Sequence, residues 1–423
     1  MKKINTSPIS GAQELLPEAA ATFEKLKAGI SEIYHKHGFL KIETPIIDRC
    51  EILLAKAGGD TEKQIYKVSK TAEASDSADQ ALRFDHTVPL ARYVVEHENN
   101  LTFPFKVCQI GRNFRGERAQ KGRFREFYQC DADIIGRNNL PLAYDADIIS
   151  TLLDAYASLG INTPVLARIN NRNIVNGLLE AFNLEEKSGA IFNIIDHAEK
   201  VTLEVTKQSL EEEGLESDIV KKLLAFIEIH GDRKKAISDL KNLNIENRTF
   251  NLGLSELDTV LDLLEKDGRS GSFEADMKIV RGLDYYTGTV FEFNLPEYKK
   301  IGSVGGGGRY ENLAGYFTDQ KLPGVGGSIG LTRLFYVLNE NNLLKSQTEK
   351  PLDYAIIPIS ENEFEFALKV ARDLRADNKS ATTVLTDKKL GDKLKYAASV
   401  AKYGIVLGEN EVRTNNFEIK EFN

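Results

Sequence analysis

The stretch that most constrains the fold is Phe103–Gly136. It reads as two antiparallel strands, the first ending at Arg115, joined by a charged turn at Gly116–Gly122. The second strand alternates with the period of two that sends successive side chains to opposite faces. One face collects Arg123, Arg125, Phe127, Gln129, Asp131 and Asp133; the other collects Phe124, Tyr128, Cys130, Ala132 and Ile134, interrupted by Glu126. The second face is suited to a core. The first carries guanidiniums, a ring, an amide and carboxylates, more polarity than packing alone requires. From Arg112 to Arg125 there are six basic residues and one acid. That balance suits a polyanion such as a nucleoside triphosphate or RNA, although a solvated surface hairpin would carry the same charges.

A chain of 423 residues with 42% hydrophobic and 28% charged residues is expected to form two or three soluble domains. No run of about 18 apolar residues predicts a membrane span, and the first residues lack the apolar stretch of a secretory signal. Cys50, Cys108 and Cys130 have no metal-ligand spacing, so no metal site is assigned and reduced thiols in a cytoplasm are expected. The net charge of −8 argues against a general nucleic-acid coat but leaves room for a local basic site.

Along the chain, Ala19–His37 predicts an amphipathic helix stopped by Gly38, and Phe39–Pro45 an extended segment. Leu82–Val95 reads as a short strand that enters a helix after Pro89; there Asp85 and Thr87, two apart, share a face, or one of them caps the helix. A helix (Ala143–Leu159), a strand (Val165–Ile169) and a second helix (Arg172–Phe182) follow. Residues 185–270 are rich in Glu, Lys and Leu at helical spacing and form a helical insertion without a catalytic constellation. Met277–Leu295 returns to strand, with Arg281, Asp284, Tyr285 and Tyr286 around a glycine. The run Ser303–Tyr310 holds four consecutive glycines, either a backbone that a ligand approaches closely or a flexible loop. Gly324–Leu338 is a glycine-rich strand entering a helix whose first turn contains Arg333, a charge that opposes the helix dipole and hints at a ligand. After a polar linker, strands alternate with helices from residue 351 to the end, which predicts a small parallel or mixed sheet. Lys388, Lys389, Lys393, Lys395 and Lys402 crowd its second helix, most simply as an exposed face.

These residues together resemble the class II aminoacyl-tRNA synthetases, and within them the histidyl-tRNA synthetase family. Gly38–Ile47 is similar to the family's motif 1, Phe114–Glu117 with the strand beyond it to motif 2, and Gly326–Arg333 to motif 3. Arg281–Tyr286 and Gly307–Tyr310 resemble two motifs specific to the histidine enzymes. The resemblance implies an α+β catalytic core over residues 1–338, an antiparallel sheet flanked by helices, with the insertion at 185–270 and an anticodon-binding α/β domain at 351–423. It implies a cytoplasmic homodimer, with motif 1 at the interface, whose partners are ATP, L-histidine and tRNA(His), and Mg²⁺ as cofactor.

The site residues are implied in the same way. Arg115 and Arg281 are the catalytic cations at the α-phosphate. Arg123 with Mg²⁺ holds the β- and γ-phosphates, Glu117 orients the adenine, and Phe127 and Arg333 sandwich its ring. Asp85 and Thr87 hold the α-ammonium of histidine; Gln129, Asp133, Tyr285 and Tyr286 complete its site together with Arg115 and Arg281. Gln120 and Arg125 stand where relatives read the tRNA. The chain departs from common family residues at His86, Ala119 and Asp133. The alternative is a catalytically silent paralogue, the histidine-sensing regulatory subunit of ATP phosphoribosyltransferase, which typically lacks the anticodon domain.

Overall fold

The computed structural model describes residues 4–55, 62–72, 78–280, 286–344 and 350–422. The chain divides into a large unit, which includes Phe23–Lys345, and a small one that takes in Leu15–Thr22 and Ser346–Asn423. In the large unit the strands are β1 (Leu40–Lys41), β2 (Ile47–Arg49), β3 (Lys67–Val68), β4 (Gln80–Leu82), β5 (Phe105–Phe114) and β6 (Glu126–Ile135). They continue as β7 (Leu166–Asn171), β8 (His230–Gly231), β9 (Phe273–Asp276), β10 (Thr289–Asn294), β11 (Gly305–Tyr310) and β12 (Gly324–Ile329). Strands β2, β4 and β3 make a small separate sheet; the others form one sheet in the order β1-β5-β6-β12-β11-β10-β7-β9-β8. Every pairing from β5 through to β7 is antiparallel. Parallel pairs occur only toward the edges, β1 with β5 and β7 with β9.

The alternation in β6 is what fixes its two sides. Cys130, Ala132 and Ile134 are fully buried beneath the helix Pro17–Lys36. That helix packs Phe23 edge-on against Tyr128, ring centroids 5.4 Å apart, and its Tyr34 hydroxyl donates to the Cys130 carbonyl at 2.8 Å. Gly38 (φ +83°) turns the chain out of the helix, a conformation a side chain resists. The helix Ala143–Ser158 packs behind β6 and β12. The opposite face of β6 is left for the polar residues.

Two local expectations change. The glycine run is not a loop: it is β11, paired with β10 and β12 along its whole length. A Cβ at Gly307 would lie 2.1 Å from the Gly326 carbonyl oxygen, so the glycines permit crowded packing rather than flexibility. The helix that follows β4 begins at Thr87, before Pro89. Proline is tolerated there because the first-turn N–H groups have no intrahelical acceptor.

Apart from β8, residues 188–266 are built from helices, and the longest, Arg248–Lys266, packs against Arg172–Ala181 and Ala143–Ser158. In the small unit β13 (Leu352–Pro358), β14 (Ala381–Thr383), β15 (Ala401–Leu407) and β16 (Ile419–Glu421) lie in the order β14-β13-β15-β16. The β13 pairs are parallel and β16 adds an antiparallel strand that the sequence pattern does not announce. Ile356 on one face of β13 packs with Val370 of one helix, and Ala355 and Ile357 on the other face pack with Ala397 of the second. Lys393 is not part of an exposed lysine face. It is buried, and its ammonium donates to the Pro358 and Ile359 carbonyls at 2.9 and 3.2 Å.

Candidate active site

The polar face of β6 forms one wall of a cavity of about 430 Å³, within the size range of small-molecule sites. Phe127, Gln129, Asp131 and Asp133 from β6 meet Gly305, Gly306 and Gly307 of β11 and Gly326, Gly327 and Ser328 of β12 along its walls. Without side chains, the glycine strands leave the volume that a ligand would occupy.

Arg115, Arg123 and Arg333 line the cavity. Arg115, just past β5, lies over the rings of Phe84 (4.3 Å) and Phe127 (5.0 Å) and donates from Nε to the Phe84 carbonyl. Arg123 pairs with Glu117 at 3.3 Å across the turn, and both line the cavity. Arg333, in the first turn of the helix Leu331–Glu340, reaches the cavity and donates to the Ile301 carbonyl. Burial lowers its pKa, and the like charge of Arg123 lowers it further. Its buried Nε has no hydrogen-bond partner among the described residues, a cost that a bound anion or ring would offset. Phe127 therefore stacks on Arg115 here, while Arg333 borders the same cavity.

Asp85, Asp131 and Asp133 line the cavity too. Asp85 and Thr87 sit at the start of the helix Thr87–His97, where both line the cavity. Asp85 Oδ1 also accepts the Val88 N–H at 3.0 Å, so the capping role and the cavity role coexist. Burial raises the Asp85 pKa, against the Val88 N–H and the Arg115 charge. Asp133 is pushed up to about 8, first by burial and then by the charge of Asp131, while the Tyr310 hydroxyl, donating to its Oδ1 at 3.0 Å, pulls the other way. Gln129 is held at both ends of its amide: Asn113 donates to Oε1 and Nε2 donates to Ser328 Oγ, each at 2.8 Å.

Of the sequence-derived residues, Asp85, Thr87, Arg115, Glu117, Arg123, Phe127, Gln129, Asp133, Tyr286 and Arg333 border this one cavity. Arg281 and Tyr285 lie outside the described residues. Gln120 and Arg125 are not on its walls. Gln120 exchanges backbone hydrogen bonds with Arg123 at the tip of the turn, and Arg125 donates to the carbonyls of Glu117 and Ser10. Tyr310, Asp131 and Glu292 also border the cavity; the sequence put Asp131 on the polar face and Tyr310 in a motif without a role for either, and did not single out Glu292. Tyr310 ends the Gly-Gly-Arg-Tyr motif, and Asp131 and Glu292 are polar residues in the cavity-facing positions of alternating strands. Burial pushes Glu292 up to about 7, against the nearby Arg168. Arg309 of the same motif is structural. It is buried and clasps the fully buried Asp145, its Nη2 at 2.7 Å, and also donates to the Leu140 and Pro141 carbonyls.

A largely antiparallel sheet bearing one cavity lined by both arginines and carboxylates fits a class II aminoacyl-tRNA synthetase fold. The model of the histidyl-tRNA synthetase family matches residues 11–334, and that of an anticodon-binding domain matches 353–423. The chain is 44% identical over 425 aligned residues to a histidine–tRNA ligase of Clostridium tetani, covering 99% of this chain and 95% of that one. It is 40% identical to the histidine–tRNA ligase of Finegoldia magna, covering 99% of this chain and 95% of that one. The crystal structure of histidyl-tRNA synthetase from Nostoc sp. PCC 7120 superposes with a TM-score of 0.88 at 36% identity, over 99% of this chain and 95% of that one. The chain belongs to the histidyl-tRNA synthetase family.

Proposed function

We propose that this chain is a histidine–tRNA ligase: it joins L-histidine to ATP, giving histidyl-adenylate and pyrophosphate, and transfers the histidyl group to the 3′ end of tRNA(His). The observation that carries this reading is that one cavity is lined both by Arg115, Arg123, Arg333 and the Phe127 ring and by the carboxylates Asp85, Asp131 and Asp133. Chemistry of this kind is mostly positioning and charge neutralisation. In this reading Arg115 meets the α-phosphate, Arg123 the outer phosphates, and Glu117, Phe127 and Arg333 the adenine. Asp85 and Thr87 take the α-ammonium, and Asp133 and Tyr286 face the imidazole. Gln129 contributes through the same wall, and Arg281 and Tyr285 complete the sets. A carboxylate facing the imidazole N–H discriminates against isosteres that lack it.

Class II synthetases use ATP with a divalent metal. Among the described residues no three histidine, cysteine or carboxylate groups form a metal cage. An ion that arrives on the triphosphate does not require one, since Mg²⁺ keeps several waters and takes one or two carboxylates beside substrate phosphates. Glu117 and Glu292, both on the cavity wall, are the residues that would hold it, and bound Mg²⁺ would neutralise phosphate charge.

The reading includes a homodimer in the cytoplasm, with Gln120, Arg125 and the small unit engaging tRNA(His). Leu40, on edge strand β1, and Ile46 and Ile47 are exposed; a two-fold contact would bury them. No helix among the described residues is long and apolar enough to cross a membrane. The deciding experiment is ATP–pyrophosphate exchange with each of the twenty amino acids, followed by charging of tRNA(His). Exchange with histidine alone is expected. Exchange with none overturns the reading in favour of a histidine-sensing binding protein.

A further inference from the structure

Beside Asp131 lies a buried polar chain that the reading above does not use. His86 is 1% exposed, and its Nδ1 stands 2.9 Å from Asp131 Oδ2. It packs over Gly111, where a Cβ would lie 3.1 Å from His86 Nε2 and 2.5 Å from the Arg83 guanidinium. The His86 carbonyl accepts from Gln109, whose Oε1 accepts from Thr44. Arg83 donates to the Arg112 carbonyl and to the carbonyl and hydroxyl of Thr44. Since Asp131 Oδ2 is an acceptor, the short contact makes Nδ1 the protonated nitrogen of His86.

Among the described residues Asp131 is therefore held by one oxygen only. The residue is 5% exposed, it lines the cavity between Gln129 and Asp133, and its Oδ1 has no hydrogen-bond partner among the described residues. A desolvated carboxylate oxygen without a donor is costly, and a cationic ligand would remove that cost. Among the described residues, acceptors near Asp131 could share an ammonium with it. Asp85 spends Oδ1 on the Val88 N–H, which leaves Oδ2; Thr87 adds a hydroxyl, and Asp131 adds Oδ1. An ammonium has three N–H donors. Asp133, whose Oδ1 accepts from Tyr310, is given to the imidazole in the reading above.

We propose that Asp131 binds the α-ammonium of the substrate amino acid through Oδ1, and that His86 is a positioning residue that fixes the carboxylate by holding Oδ2 through Nδ1–H. This deepens the histidine reading and rests on it.

Calorimetry on the full-length chain tests it with three ligands: L-histidine, histidinol, which keeps the ammonium but lacks the carboxylate, and 3-(imidazol-4-yl)propanoate, which lacks the ammonium. The propanoate is measured by competition. If the wild-type chain fails to bind histidine, the functional reading itself falls. If it binds, Asp131→Asn is expected to weaken histidine and histidinol roughly 10–100-fold, the loss of a hydrogen bond to a charged group, and to leave the propanoate unchanged. His86→Asn, which keeps an N–H at the place of Nδ1, should retain most of the affinity, whereas His86→Leu should lose it. ATP binding and the thermal transition serve as folding controls, and Asp131→Ser replaces Asp131→Asn should the latter not fold. Unchanged histidine affinity overturns the proposal. So does equal weakening of all three ligands, which would place Asp131 at the imidazole. Equal losses in His86→Asn and His86→Leu would overturn the positioning role of His86.

Discussion

Replacing Gly326 with alanine tests whether the glycine of β12 makes room for the Asp133 carboxylate, which we propose binds histidine. The added Cβ would stand 1.9 Å from Asp133 Oδ1 and 2.5 Å from its Cγ, about 1 Å inside the closest approach real Cβ atoms make. The strand cannot easily retreat, because β12 is paired on both sides, with β6 and β11. The carboxylate must move instead, and it then leaves the Tyr310 hydroxyl that donates to it at 3.0 Å. Overpacking of this kind costs about 1–3 kcal/mol. If that cost falls on the histidine-binding geometry, the KM for histidine in pyrophosphate exchange should rise roughly 10–100-fold at about 1.4 kcal/mol per factor of ten, with the KM for ATP little changed. Removing the obstructing carboxylate as well, in Gly326→Ala with Asp133→Ala, should recover the stability lost by the single mutant without recovering histidine affinity, a non-additive pair. An unchanged histidine KM in a folded Gly326→Ala protein would refute the reasoning.

Three further outcomes can be stated. Arg309→Met removes the partner of the fully buried Asp145 and should lower the unfolding free energy in urea by about 3–5 kcal/mol, the cost of stranding a buried charge. Asp133, pushed up to about 8, keeps a proton in the folded chain that the unfolded chain releases near about pH 4. The unfolded state thus binds fewer protons between those values. Stability should fall as pH rises through that window, by at most about 1.4 kcal/mol per pH unit, and the slope should diminish in Asp133→Asn when urea midpoints are compared between about pH 5 and pH 8. Gly391, in the helix Leu390–Val400, has open space around an added Cβ. Gly391→Ala should raise the thermal midpoint through a gain of about 0.5–1 kcal/mol in helix propensity.

Much of the site was legible in one strand. The alternation through Phe127, Gln129, Asp131 and Asp133 gives their common face directly, because the pleat has a period of two and no distant residue can alter it. Arg333 in a first turn was likewise visible as a charge against the helix dipole. The glycine run was ambiguous, because glycine permits both a flexible loop and a crowded strand. Only β10 and β12 on either side of it, with carbonyl oxygens where a Cβ would go, make it a strand.

The same limit applies to partners far apart in the chain. Local sequence determined that Asp85 precedes a helix, that Arg309 and Tyr310 are adjacent, and that His86 follows Asp85. It did not determine that Arg309 turns to Asp145 while Tyr310 turns to Asp133, or that His86 meets Asp131. Periodicity assigns a side chain to a face. Which buried group meets which partner depends on how strands distant in sequence are set side by side, and on the high cost of leaving any polar atom there unpaired.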